Sequence, residues 1–181
     1  NKVLLIDADM RRPSIHTFFD MDNISGLSNL ITDSSIPPEK VILKSDINGL
    51  DIITAGILPP DPVYLLSSNR MDDLVNKLNN LSYDYLIFDA PPSEGLADAK
   101  VIYKFCDLCL FIITLNKVEK DSAKKVISYF PSISRGKTAV IINYLRKNSS
   151  FLNNYSYKYN YNSDIYKYYK GNTVSEKNLL N

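Results

Sequence analysis

Aspartates stand at the ends of two apolar runs in this sequence. Asp7 follows the run at residues 3–6, Asp9 comes two residues later, and Asp89 follows the run at residues 85–88. In open α/β sheets, ligands bind beyond the carboxyl ends of the strands, and side chains two apart in extended backbone point to the same side. Three carboxylates at such an edge suit a hard cation such as Mg²⁺, which is shared with phosphates and water. The alternative is that these aspartates only cap loops or helices, which explains one such position better than two.

The apolar runs predict buried parallel strands covered on both faces, because they are continuous rather than alternating. Four runs have this character and a fifth is weaker. They lie at residues 3–6, 85–88, 108–113 and 139–142, with the weaker run at 50–53. Amphipathic spacing predicts helices between them, at residues 71–81, 97–105 and 122–130. Strands that alternate with helices favour an α/β fold, with a mainly parallel sheet flanked by helices.

The composition is that of a globular protein. The chain has 181 residues, of which 45% are apolar and 23% charged, and this length fits one domain. No run approaches the ~20 apolar residues that span a bilayer. The 2 cysteines cannot build a disulfide framework, so a reducing compartment is expected. The formal net charge of +1 argues against a nucleic-acid binder.

The character of the chain changes after about residue 147. Asn, Ser, Lys and Tyr dominate residues 148–181, which we expect to be a disordered tail behind a domain at residues 1–147. Seven tyrosines lie close together in this tail: Tyr155, Tyr157, Tyr159, Tyr161, Tyr166, Tyr168 and Tyr169. Residues 117–181 carry 12 Lys and Arg against 4 Asp and Glu. An acidic partner, an anionic lipid surface, phosphorylated groups or simply a solvated face would account for that charge.

The segments around the aspartates have a recognisable form. Residues 3–13 read VLLIDADMRRP, and residues 83–92 read YDYLIFDAPP. Together with residues 26–30, residues 54–62 and the tail tyrosines, they resemble the bacterial tyrosine kinases, or BY-kinases, from residue 2 to about 146. The two quoted segments are similar to that family's Walker A′ and Walker B motifs. Each motif alone also occurs in ATPases of the ParA/MinD type, but the whole order is more specific.

The resemblance implies a P-loop NTPase-like fold of the ParA/MinD type and an ATP-dependent protein-tyrosine autokinase that uses Mg²⁺. Kinases of this family regulate the polymerisation and export of capsular and extracellular polysaccharide. The resemblance also implies a location in the cytoplasm, at the inner face of the bacterial cell membrane. The implied partners are a membrane-spanning activator, fused or separate, further copies of the kinase in a homo-oligomer, and a tyrosine phosphatase.

The same resemblance implies roles for individual residues. Asp7 matches the aspartate that takes the proton of the tyrosine hydroxyl, and Asp9 and Asp89 match the aspartates that hold Mg²⁺. Asn143 matches, more weakly, an asparagine that contacts the nucleotide base in related P-loop ATPases. The seven tail tyrosines match the phosphoacceptors. Phosphoryl transfer needs in-line positioning and charge neutralisation, which a magnesium site among carboxylates would serve.

One part of the family pattern is not in the sequence. The phosphate-binding Walker A motif, G-x-x-x-x-G-K-[ST], would precede the first strand, so we expect that upstream residues are missing and that this polypeptide alone is inactive. Residues 135–138 read RGKT, but Pro131 stands where the first glycine of the motif belongs. Two other interpretations stay open. One is a ParA/MinD-like ATPase, and the other is a non-catalytic phosphoacceptor or binding module.

Other residues that could do chemistry have simpler interpretations. Cys106 and Cys109 lack a second pair of ligands, so two structural, buried thiols are favoured over zinc or redox use. His16 is the only histidine, which favours packing or hydrogen bonding within a loop. Arg11 and Arg12 could contact a nucleotide, a partner subunit or a carboxylate, and the sequence does not choose among these.

Overall fold

The computed structural model describes residues 1–93, 97–115, 118–130 and 137–143. The predicted tail at residues 148–181, with its seven tyrosines, lies outside the described residues. The elements follow one another in chain order as β1 (Val3–Asp7), α1 (Ile15–Phe18), α2 (Leu27–Thr32), a 3₁₀ turn (Pro38–Lys40), β2 (Leu43–Lys44), β3 (Leu50–Ile53), α3 (Pro62–Leu66), α4 (Asn69–Asn79), β4 (Tyr85–Asp89), α5 (Asp98–Tyr103), β5 (Leu108–Thr114), α6 (Lys120–Tyr129) and β6 (Lys137–Asn143).

The strands form two sheets within the described part of the chain. One sheet has four strands in the order β2-β3-β1-β4, and the other pairs β5 with β6. β1 runs parallel to both β3 and β4, and β5 runs parallel to β6. Only the short β2 is antiparallel among these pairs. The predicted α/β fold with a mainly parallel sheet is confirmed.

The apolar core lies around β1. Leu4 and Ile6 of this strand are fully buried, and α2 and α4 contribute side chains to the same core. On α4 the apolar face predicted from the helical spacing is buried at Leu74, Val75 and Leu78. Burial of such side chains is the main stabilising contribution to the fold.

The prediction that every strand is covered on both faces is wrong for β4, β5 and β6. In β6 the apolar side chains at residues 140–142 are 45–65% exposed. In β4 and β5 the exposure alternates along the strand. Five large apolar side chains of these strands are about half exposed or more: Tyr85, Ile87, Leu108, Leu110 and Ile112. The physical reason is the division of the sheet, since β4 is the last strand of one sheet and β5 belongs to the other. Between them lies an apolar cleft of about 1050 Å³, which α4, α5 and α6 also line.

The helices predicted from amphipathic spacing are all present, with bounds that differ by one or two residues. The predicted range 71–81 became Asn69–Asn79, 97–105 became Asp98–Tyr103, and 122–130 became Lys120–Tyr129. The short helices α1, α2 and α3 and the strand β2 were not predicted. The predicted strands are also present, and each of β1, β4 and β5 extends one residue further than its apolar run.

Candidate functional site

Asp7 and Asp89 lie side by side at the carboxyl ends of β1 and β4. The two strands are parallel, and Asp7 is the register partner of Asp89. The backbone N–H of Ala8 donates to the carbonyl oxygen of Asp89 at 2.8 Å, which extends the pairing by one residue. The structure therefore brings together two carboxylates that are 82 positions apart in the sequence, as the apolar runs predict.

The carboxylate of Asp7 organises the loop that follows β1. Its Oδ1 accepts the backbone N–H of Asp9 at 3.2 Å, and its Oδ2 accepts those of Ser14 at 3.2 Å and Ile15 at 3.1 Å. The residue is fully buried. Because Ile15 begins α1, Asp7 connects the end of the strand to the start of the next helix.

Asp9 lies in a turn rather than in the strand. β1 ends at Asp7, so the argument from extended backbone does not apply to Asp9. Its Oδ1 accepts the backbone N–H groups of Arg11 at 3.1 Å and Arg12 at 2.9 Å. An aspartate that bonds the backbone two residues ahead is typical of a turn. Asp9 is therefore near Asp7 because the loop folds back, and the prediction of a continued strand is wrong.

The electrostatics of the three aspartates are unfavourable without a cation. Desolvation, followed by repulsion from Asp7 and Asp9, raises the pKa of Asp89 to about 6. Burial also raises the pKa of Asp7, although its backbone N–H donors act in the opposite direction. Carboxylates that share a site raise one another's pKa in this way, and such shifts are common at functional sites.

The donor set fits a magnesium ion that is bound through few protein ligands. Within the described residues, no group of three or more His, Cys, Asp and Glu side chains is arranged to hold a metal ion together. The predicted convergence of Asp7, Asp9 and Asp89 on one ion is therefore not seen among these residues. Magnesium usually takes one or two carboxylates and completes its shell with water and phosphate oxygens. Asp9 and Asp89 could supply those carboxylates, while both oxygens of Asp7 accept backbone hydrogen bonds.

An ion pair that the sequence did not indicate lies beside the site. Nε of Arg11 donates to Oδ1 of Asp98 at 3.0 Å, and the Asp98 side chain is fully buried. Of the three partners considered for Arg11, the structure shows the carboxylate. The two residues are 87 positions apart, so no local pattern could have found the contact.

Asn143 lies in the second sheet, as do Lys137 and Thr138, the described residues of the RGKT segment. Asn143 ends β6 opposite Thr114, and its backbone carbonyl accepts the N–H of Leu115 at 2.9 Å. Lys137 and Thr138 lie inside β6, where a phosphate loop would need a turn that leads into a helix. The hydroxyl groups of Thr138 and Tyr103 are 3.0 Å apart, within hydrogen-bond distance.

The two cysteines are free thiols that are partly buried. Burial raises the pKa of the Cys106 thiol to about 11, and it also raises the pKa of Cys109. Thiols with a raised pKa are poor nucleophiles. This agrees with a structural interpretation. His16 lies in the short helix α1 rather than in a loop, and its Nε2 lies 3.2 Å from the hydroxyl group of Thr17.

Two curated proteins are similar to this chain over most of its length. The tyrosine-protein kinase YwqD of Bacillus subtilis (strain 168) is 40% identical over 124 residues, which are 68% of this chain and 52% of YwqD. CapB of Staphylococcus aureus is 34% identical over 152 residues, which are 83% of this chain and 66% of CapB. The kinase domain of the Escherichia coli tyrosine kinase Etk superposes with a TM-score of 0.74 at 31% identity, over 82% of this chain and 58% of that one.

The chain belongs to the bacterial tyrosine-protein kinase family. It spans about half the length of YwqD and 66% of CapB. No family model matches it. This chain also shares its fold with MinD of Pyrococcus horikoshii, which was solved in complex with Mg-ADP. The TM-score is 0.62 at 17% identity, over 78% of this chain and 57% of MinD. The fold is therefore P-loop NTPase-like. Among its described residues, none of the helices is long and apolar enough to cross a membrane.

Proposed function

We propose that this chain is the catalytic part of an ATP-dependent protein-tyrosine autokinase. The observation that carries the proposal is the pairing of Asp7 with Asp89 at the carboxyl ends of β1 and β4, in a chain of the tyrosine-kinase family. The reaction is transfer of the γ-phosphoryl group of ATP to tyrosines of a neighbouring subunit. In the whole protein, this activity regulates the polymerisation and export of capsular or extracellular polysaccharide.

Asp9 and Asp89 are the residues that would hold Mg²⁺ in this proposal. Their support is electrostatic, because the pKa of Asp89 is raised partly by the charges of Asp7 and Asp9, and a cation between the carboxylates would remove that repulsion. When bound, Mg²⁺ supplies charge neutralisation at the transferred phosphoryl group. The backbone N–H groups of Arg11 and Arg12 orient the Asp9 carboxylate from the other side.

Asp7 is the proposed acceptor of the tyrosine hydroxyl proton. Burial raises its pKa, and a carboxylate with a raised pKa is a better base at neutral pH. Oδ1 accepts one backbone hydrogen bond and Oδ2 accepts two, and each carboxylate oxygen has two acceptor positions. Oδ1 therefore has room for the substrate hydroxyl while the loop keeps the carboxylate in place.

The remaining parts of the proposal concern regions beyond the described site. The tail tyrosines from Tyr155 to Tyr169 are the phosphoacceptors, and Asn143 contacts the nucleotide base. Each phosphorylation adds about −1.5 to −2 charges, so the basic tail becomes acidic and its contacts with neighbouring subunits weaken. A membrane-spanning activator, fused or separate, places the homo-oligomer at the cytoplasmic face of the membrane, and a tyrosine phosphatase resets it.

The test measures tyrosine phosphorylation in the full natural polypeptide, with residues numbered as here. With Mg-ATP, we expect phosphotyrosine in the tail by mass spectrometry. Asp7→Asn should lower the initial rate by about 10²- to 10⁴-fold, the range for loss of a general base. Replacement of the seven tail tyrosines by Phe should remove most of the label. Asp73→Asn on the exposed side of α4 is the matched control and should leave the rate unchanged.

The outcomes separate the proposed kinase from its alternatives. ATP hydrolysis without tyrosine label would indicate an ATPase of the ParA/MinD type. Neither hydrolysis nor label would indicate a binding module or a phosphoacceptor for another kinase. Full activity of Asp7→Asn, with wild-type thermal unfolding, would contradict the role of Asp7 while leaving the kinase activity established.

A further inference from the structure

The Arg11–Asp98 ion pair is a buried contact between two distant parts of the chain. Nε of Arg11 lies 3.0 Å from Oδ1 of Asp98, and the side-chain exposures are 28% and 0%. A carboxylate that is taken out of water is costly unless a cation and hydrogen bonds compensate its charge. Oδ2 of Asp98 is also buried, and it has no hydrogen-bond partner among the described residues. The position of Asp98 therefore depends strongly on Arg11.

Arg11 contacts the proposed magnesium site with its backbone while its side chain binds Asp98. Its N–H donates to Oδ1 of Asp9 at 3.1 Å, and the N–H of Arg12 donates to the same oxygen at 2.9 Å. A shift of the Arg11 side chain would move the backbone donor that orients Asp9. Arg11 therefore links Asp98, which its side chain binds, to Asp9, which its backbone binds.

Asp98 belongs to the segment that follows the other proposed magnesium ligand. β4 ends at Asp89, and Asp98 is the first residue of α5. The ion pair consequently joins the loop after β1, which carries Asp9, to the segment after β4, which starts at Asp89. Backbone pairing ends at the carbonyl oxygen of Asp89, so the ion pair connects the two segments beyond the last strand hydrogen bond.

We propose that Arg11 and Asp98 are positioning residues that hold the Asp9 carboxylate at the correct place relative to Asp89 for magnesium binding. The inference rests on the proposed function, because it assumes that Asp9 and Asp89 bind the metal. Partners of metal ligands set the orientation of those ligands, and their loss typically weakens metal binding by about 10- to 100-fold. A pair that only stabilised the fold would leave metal affinity unchanged in the folded protein.

The experiment compares metal dependence in the full natural polypeptide and in three variants. These are Asp98→Asn, Arg11→Lys and the double variant Arg11→Gln with Asp98→Asn, which removes both charges and leaves no buried ion alone. Mn²⁺ affinity is measured by electron paramagnetic resonance, and the Mg²⁺ concentration for half-maximal tyrosine label is measured at saturating ATP. We expect the double variant to raise the Mn²⁺ dissociation constant and the half-maximal Mg²⁺ concentration about 10- to 100-fold. Arg11→Lys should show a smaller rise, because it retains the charge.

The control is an ion pair in the four-stranded sheet, away from the proposed metal site. Lys44 and Asp51 are 2.5 Å apart on β2 and β3, and the double variant Lys44→Gln with Asp51→Asn should leave the metal midpoints unchanged. The inference is overturned if the Arg11 and Asp98 variants unfold at lower temperature but keep wild-type Mn²⁺ and Mg²⁺ midpoints. Absence of tyrosine label in the wild type would contradict the proposed kinase activity, whereas the Mn²⁺ titration would still decide the positioning role.

Discussion

Asp89 is the residue whose protonation responds most to its neighbours in the site. Its ordinary pKa is 3.8, and desolvation with the charges of Asp7 and Asp9 raises the folded value to about 6. Between these two values the folded chain binds a proton that the unfolded chain has released. The free energy of unfolding therefore falls as the pH rises through this window. At neutral pH the ionised Asp89 destabilises the chain unless a cation is bound.

This sign gives a prediction for Asp89→Asn. Asp89 lies at an exposed position of β4, so solvent screens part of this effect. In the absence of divalent cations at pH 7, the variant should therefore unfold slightly above the wild type, and the difference should shrink towards pH 4. The measurement is thermal unfolding between pH 4 and pH 7.5. Asp73→Asn removes an exposed carboxylate of α4 and should show no such pH-dependent difference. Equal behaviour of the two variants would contradict the electrostatic account of Asp89.

The site residues differ in how well the sequence could predict them. Asp7 and Asp89 follow apolar strands, and parallel pairing places the ends of such strands together, so pattern alone predicted their proximity. The place of Asp9 depends on a turn after the strand, which periodicity does not describe. The ion pair of Arg11 with Asp98 depends on tertiary packing across 87 residues, and neither partner carries a local signal for it.

At the scale of elements, two loops form one interlocked unit beside α2. The N–H groups of Leu27 and Ser28, at the start of α2, donate to the carbonyl oxygens of Thr54 and Ala55 at 2.8 and 3.0 Å. Gly56 follows these acceptors and has a φ of +79°, a conformation that glycine adopts readily. The segments at residues 26–30 and 54–62, which were separate motifs in the sequence, are therefore joined by hydrogen bonds in the structure.

Gly26 allows this close approach, and its replacement is a direct test. A Cβ at Gly26 would lie 2.2 Å from the carbonyl oxygen of Thr54 and 2.4 Å from the backbone N of Gly56. These are backbone atoms and cannot rotate away. We expect Gly26→Ala to lower the free energy of unfolding by about 1–3 kcal/mol, as overpacking does, in urea titrations. Ser25→Ala, at the exposed neighbouring position, should change it little, and an equally stable Gly26→Ala would show that the loops separate easily.

Element length decided which helices and strands could be predicted. The helix α4 has 11 residues and shows its buried face in the spacing of Leu74 and Leu78. By contrast, α3 has 5 residues, too few to repeat a pattern. It begins where the Asp61 side chain accepts the N–H of Tyr64, with Pro62 in the first turn. Local capping of this kind explains the start of a short helix better than periodicity does.

At the scale of the whole molecule, β4 and β5 belong to different sheets, and within the described residues no strand pairs with both of them. A continuous apolar run predicts a strand that is covered on both faces. The run shows that both faces are apolar, but it does not show which elements pack against them. In the described part of the chain, alternate side chains of both strands face the apolar cleft instead. Within the described residues, the cleft is an apolar surface that is open to solvent, the kind of surface that apolar probes bind.

The cleft should therefore bind an apolar dye, and the binding should depend on β5. Leu110 and Ile112 project from the same side of this strand and are 52% and 66% exposed. Replacement of both by Thr should lower the fluorescence of bound anilinonaphthalene sulfonate and change the free energy of unfolding by only about 0.5 kcal/mol, because exposed side chains contribute little to the core. Ile47→Thr is the control, since Ile47 is 55% exposed but lies on the turn between β2 and β3. If the control lowers the fluorescence as much as the double variant does, the cleft is not the binding site of the dye.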